Sequence, residues 1–109
     1  MSSHSDKIKI DFILNMIDNT ALITKRHGTV ADALDDIEGQ NALFMCLLQI
    51  GEKITKIETP TFRENLPIKE AASIRNFIVH DYGGVNLEII KEVIEIDIPK
   101  LKKSLESIV

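Results

Sequence analysis

The 109-residue chain predicts an all-α fold, an antiparallel up-and-down bundle of four to five helices, on three observations. Apolar residues recur at three- and four-residue steps almost throughout, and no segment keeps the strict alternation of a half-buried strand. Glycine and proline cut the pattern into four main segments with short joints, and short joints make neighbouring helices antiparallel. The length suits one domain, residues 1–109, with no repeat and no room for a second.

The first segment carries Ile8, Phe12, Met16 and Leu22, with Ile13, Ile17 and Ile23 beside them. Ser5 is the expected N-cap with Asp6 in the first turn, and Lys25, Arg26 and His27 precede Gly28, a basic last turn and then a C′ glycine. The spacing predicts a helix over 6–27. Thr29 with Asp32, and Asp35 with Glu38, then pattern as successive capping boxes. The first opens a short turn over 30–34. The second opens a helix over 36–57 with the stripe Ile37, Phe44, Leu47, Leu48, Ile54 and Ile57. Gly39 and Gly51 lie inside it at about 1 kcal/mol each relative to Ala, a cost that goes with close approach of another helix. Thr59 and Pro60 allow a single turn over 60–64, and Pro67 suits the first position of the next helix, which must stop at Gly83 and Gly84. In the last segment Pro99 forces a kink or two abutting helices, 87–96 and 98–108.

Composition bounds the function. The net charge is −4, and residues 1–58 hold nine acids against six Lys or Arg, so nothing global points to nucleic acid. The single Cys46 excludes a disulfide framework and sits in an apolar run, as a buried thiol would. No apolar stretch reaches the roughly 18 residues of a membrane span, and residues 1–7 show no signal-peptide hydrophobic segment, so a cytoplasmic protein without membrane contact is expected. His4, His27 and His80 have no metal-ligand spacing, and no P-loop, dinucleotide fingerprint or nucleophile elbow is present, so no metal and no cofactor are expected. The acids Asp32, Asp35, Asp36 and Glu38 lie where helix starts favour them. Lys100, Lys102 and Lys103 read as a solvated face.

The informative stretch is Ser73–Gly84. Asn76 and His80 stand at i,i+4, so the amide can orient the imidazole. Arg75 and Tyr82 stand at i,i+7, nearly in line if the helix continues. Arg75 and His80 differ by about 140° around a regular helix, an angle that a long side chain spans in part and a second copy of the helix could complete. An imidazole beside a guanidinium supplies what phosphodiester cleavage needs. His80 can take the proton of a ribose 2′-hydroxyl or give one to the leaving 5′-oxygen, while Arg75 clamps the phosphate. The plainer alternative is that both side chains cap the helix end and pair with acids.

Arg75, Asn76, His80 and Tyr82, followed by Gly83-Gly84-Val85-Asn86-Leu87-Glu88, resemble the HEPN superfamily and in particular the HepT-like toxins of HEPN/MNT toxin–antitoxin systems, whose signature is R-x-x-x-x-H-x-Y. Ile50-Gly51-Glu52, Asn65-Leu66-Pro67 and Asp97–Lys102 match further family segments in order, over roughly residues 40–103. Ile68 and Lys91 stand where the family usually has tryptophans, both reading as packing positions. The resemblance implies a metal-independent endoribonuclease of a type VII-like pair, cleaving RNA in a composite cleft across a homodimer. Arg75 and His80 would be catalytic and Asn76 supporting. It also implies a minimal nucleotidyltransferase antitoxin as partner, which would add AMP to Tyr82 and so place bulk and negative charge near Arg75. Two other readings stand beside it, a non-catalytic module that binds nucleotide or the transferase, and a purely structural dimer.

Overall fold

The computed structural model describes residues 2–108, with side chains from His4 to Ile108. The described chain is helical with short joints, as its periodicity predicts, and holds no strand among the described residues.

Helix α1 spans Ser2–His27, so Ser5 lies inside it and is not its N-cap. Asp6 explains why local reading misplaced this end. Its carboxylate is fully buried and accepts from the N–H groups of Glu58 (3.0 Å) and Thr59 (2.7 Å) and from the Thr59 hydroxyl, with Lys9 Nζ 3.5 Å away. The acid therefore serves a joint more than fifty residues away, and its own turn simply stays helical. Burial alone would push the carboxyl up. The bonds from Thr59, Glu58 and Lys9 outweigh it and hold the pKa at about 2.

The end of α1 follows the sequence. Gly28 takes φ +104°, and its N–H reaches Thr24 O at 2.9 Å. His27 Nδ1 faces Ile23 O at 2.9 Å and Nε2 faces Asp36 Oδ2 at 3.3 Å, so the ring has an acceptor on each side. The Ile23 carbonyl, and after it Asp36, push the imidazole's pKa up against the opposing effect of burial. Helix α2 spans Val30–Asp35, and the Thr29 hydroxyl accepts from Asp32 N–H at 3.0 Å.

Helix α3, Ile37–Ile54, is capped by Asp36 and not by Asp35: the Asp36 carboxylate accepts from Gly39 N–H at 2.9 Å. Asp36 is the residue in extended conformation between α2 and α3, and so the one free to turn its side chain back onto the helix. Ile37, read into the buried stripe, is exposed because it occupies the first turn on the outer face. The helix also ends before 57, since Arg63 Nη1 takes the carbonyls of Thr55 (3.3 Å) and Ile57 (2.6 Å) for the turn into α4, Pro60–Glu64. Helix α5 spans Ile68–His80, with Pro67 at its cap position rather than its first turn, and Pro67 O receives the first helical bond, from Ala71 N–H.

Helix α6, Leu87–Glu92, runs into a π turn, Val93–Asp97, and then α7, Ile98–Ile108. The two alternatives expected around Pro99, a kink or two abutting helices, resolve to one continuous helical run with a wide turn, in which Ile98 N–H reaches back five residues to Val93 O. The core is built from Ile10, Ile13 and Ile17 of α1, Leu43, Phe44, Leu47, Ile50 and Ile54 of α3, and Ile90, Leu101 and Leu105 of the last segment. Helix α1 packs on α3 and α7, and α5 lies on α3 with Ile78 as its buried residue. Cys46 is buried in α3 as expected, and burial raises its thiol pKa.

Candidate functional site

The crossing of α3 and α5 is set by a missing side chain. A Cβ on Gly51 would lie 2.8 Å from Arg75 Cβ and 2.9 Å from Ala71 O, both closer than packed atoms come. Without one, α5 settles onto α3 with Arg75 directly above the glycine. The neighbouring Glu52 then meets the guanidinium, its Oε2 accepting from Arg75 Nη1 at 3.3 Å while Oε1 faces Lys56 Nζ at 3.7 Å. Asn76 Oδ1 accepts from Arg75 Nε (3.3 Å) and Nη2 (3.0 Å). Three of the five N–H groups of the guanidinium are engaged, and the side chain remains 25% exposed, so donors are left to face an incoming anion.

Asn76 thus orients Arg75 and not His80. The two side chains stand at the expected i,i+4 spacing, but no hydrogen bond joins them among the described residues, because the amide oxygen is already taken by its immediate neighbour. His80 is the last residue of α5 and is exposed. Asp81, which is exposed, ends the helix at φ −145°, ψ 48°, with its N–H on Phe77 O at 3.2 Å.

That break moves Tyr82 off the line through Arg75. It opens a 3-10 turn, Tyr82–Gly84, and points back at α3. Its hydroxyl donates to Asn41 Oδ1 at 2.7 Å, and its ring meets Phe44 edge-on, with centroids 5.1 Å apart and planes at 86°. The i,i+7 alignment needed a helix running to residue 82, and the Asp81 conformation prevents it.

Helix α3 therefore supplies half of the site. Asn41, Gly51 and Glu52 lie outside the motif segment, although Asn41, Met45, Leu48 and Glu52 follow helical spacing along one side of α3. That periodicity was the available signal. Between the polar groups, Met45 (54% exposed) and Val79 (58% exposed) leave apolar surface open. Among the described residues no three His, Cys, Asp or Glu side chains are grouped to hold a metal ion. Asp36 serves as a helix cap, and Lys102 pairs with Asp18 at 3.8 Å.

A family model described as Ribonuclease HepT-like matches residues 13–108. A protein of Methanocaldococcus jannaschii named as a candidate RNase is 34% identical over 70 residues, which cover 62% of this chain and 60% of its own length. A candidate RNase of Caldanaerobacter subterraneus subsp. tengcongensis is 40% identical over 62 residues, 54% of each chain. Another M. jannaschii protein, named as a gamma-glutamylcyclotransferase and candidate RNase, is 34% identical over 102 residues, 91% of this chain and 45% of its own. The chain thus spans about half of the length of these relatives. No solved structure matches.

Proposed function

This chain belongs to the HepT-like ribonuclease family, and from that premise we propose that it is a metal-independent endoribonuclease acting through Arg75 and His80. The observation that carries the reading is the arrangement at the end of α5: a guanidinium steadied by Glu52 and Asn76 with donors to spare, and an exposed imidazole on the same helix. The His80 imidazole takes the proton of a ribose 2′-hydroxyl, and the freed oxygen attacks phosphorus. The leaving 5′-oxygen receives a proton from a protonated imidazole, and Arg75 holds the charge that builds on the phosphoryl oxygens.

A homodimer completes this site. Arg75 and His80 diverge by about 140° around α5, so one copy presents them in different directions. Exposed Met45 and Val79, beside Tyr82, give two copies an apolar face to share. The cleft then holds both arginines and both histidines.

In this reading the chain is the toxin of a toxin–antitoxin pair, and a partner nucleotidyltransferase silences it by adding AMP to Tyr82. The tyrosine is 44% exposed and its hydroxyl sits at the surface on Asn41, within reach of such an enzyme. The added AMP brings bulk and negative charge to the surface around Tyr82 and Asn41, where it opposes the binding of RNA.

A second reading, a non-catalytic module that binds nucleotide or the transferase, draws on the same ion pair, since Glu52 already occupies part of the guanidinium. One assay separates the two. In EDTA the wild type is expected to cleave RNA, and Arg75→Ala and His80→Ala, both checked for folding, are expected to lose at least about a hundredfold. Cleavage that survives both substitutions would sink the mechanism, and an inactive wild type that binds the transferase tightly would favour the module. Incubation with transferase and ATP should add AMP to the wild type but not to Tyr82→Phe, as read by mass spectrometry. AMP found on another residue rejects the Tyr82 assignment.

A further inference from the structure

Helix α5 joins the bundle through α3, whereas α7 joins it through α1 and the π turn. The two helices stand apart over the middle of α3 and leave a groove of about 670 Å³ between them. Leu47 and Ile50 of α3 form its floor, Ala71 and Ile74 one wall, and Ile98 and Leu101 the other. Around the rim stand Glu64, Glu70 and Asp97, with Lys100. Among the described residues none of these four has an ion-pair partner, so the apolar trough is edged by three free carboxylates and one ammonium.

We propose that this groove seats an amphipathic helix of a partner protein whose apolar stripe is flanked by Lys or Arg. Shape and charge both favour that occupant. The wall made by the end of the π turn and α7 runs from Asp97 to Ser104, two helical turns or roughly 10 Å, which matches apolar anchors at i, i+3, i+4 and i+7 of a bound helix. A helix seated there gives α5 the second neighbour that a bundle helix ordinarily has. The acidic rim repels a phosphate ligand and attracts a basic flank. The groove uses none of the motif side chains, so the proposal stands whether or not the chain cleaves RNA. Its wall nonetheless includes Ile74 and Ala71, on the turn of α5 that presents Arg75. An occupant would brace that turn.

The test uses the full chain, isotopically labelled for NMR. The probe is a synthetic helical peptide of about four turns, with leucines at i, i+3, i+4 and i+7 and flanking lysines, together with a twin carrying glutamates in place of the lysines. The lysine peptide is expected to shift the residues lining the groove and to bind at least about tenfold more tightly than its twin. The double charge reversal Glu70→Lys with Asp97→Lys, at exposed positions, should remove that preference. Ser104→Trp, which fills the trough, should abolish binding while thermal unfolding shows the fold intact. Equal binding of the two peptides, binding of neither, or shifts elsewhere would overturn the proposal. So would an RNA oligonucleotide that shifts the same residues, or self-association that Ser104→Trp removes, which would place a second copy in the groove.

Discussion

Arg75, Asp6 and Tyr82 each complete their contacts with a residue distant in sequence, and these pairings decide what the side chains can do. The Arg75–Glu52 pair is half exposed and adds at most about 1 kcal/mol to stability, so its effect lies in aiming the guanidinium. Asp6 is the opposite case, a buried carboxylate whose value is stability. With a pKa held at about 2 against an ordinary 3.8, it contributes about 2 kcal/mol above the ordinary value, and that contribution disappears as pH falls through about 2. Asp6→Ala leaves the Glu58 and Thr59 N–H groups without their acceptor and is expected to cost about 2–4 kcal/mol. Urea unfolding at neutral pH and below pH about 3 checks both points: the gap between wild type and variant should be large in the first and shrink in the second. A gap independent of pH would mean that packing, and not the carboxylate, accounts for the loss. The motif residues Arg75, Asn76, His80 and Tyr82 were legible because they cluster within one segment. Their partners Glu52 and Asn41 were not, since nothing in local spacing says which turn of α3 lies under α5.

At the scale of elements, the local signals did their part wherever both partners lay within a few residues. Gly28 at the end of α1, the Thr29 cap of α2 and the turn at Pro60 all stand where the chain announces them. Ser5 and Asp35 misled because a capping residue competes with tertiary demands on its neighbour. Asp6 is claimed by the α3–α4 joint, and Asp36 by Gly39 and His27. Gly51 was legible as a site of close approach, and its consequence can be measured. In Gly51→Ala the new methyl gains about 1 kcal/mol of helix propensity but must displace the α5 backbone near Ala71 and Arg75, at about 1–3 kcal/mol. The expected net is a loss of up to about 2 kcal/mol in denaturant unfolding. RNA cleavage should fall further than that destabilisation explains, because the displaced atoms carry the phosphate clamp. Unchanged cleavage in a folded Gly51→Ala would show that the crossing does not set the site.

For the whole molecule, the principal extents of 42, 27 and 18 Å describe a slab about two helix layers thick, its long edge set by the 26 residues of α1. A slab this thin cannot surround a substrate on its own, which agrees with a cleft shared between two copies. Mixing inactive Arg75→Ala with inactive His80→Ala is expected to restore part of the cleavage, since about half of the reassorted dimers then hold one intact arginine and one intact histidine. Mixtures as inactive as their parents would rule out sharing between copies. The bundle itself was legible from apolar periodicity, whereas the gap between α5 and α7 was not, because spacing tells which face is buried but not how far apart two buried faces come to rest. The π turn ahead of Pro99 adds a constraint of heredity. A wide turn of this kind holds one residue more than an α-turn, so the segment 93–97 behaves as a one-residue insertion that the fold has absorbed. Losing a residue there would restore an ordinary helix yet rotate all of α7 by about 100°. Lys102 would then swing away from Asp18 and Leu105 out of the core. Along this stretch a lineage is freer to change its letters than to change their number.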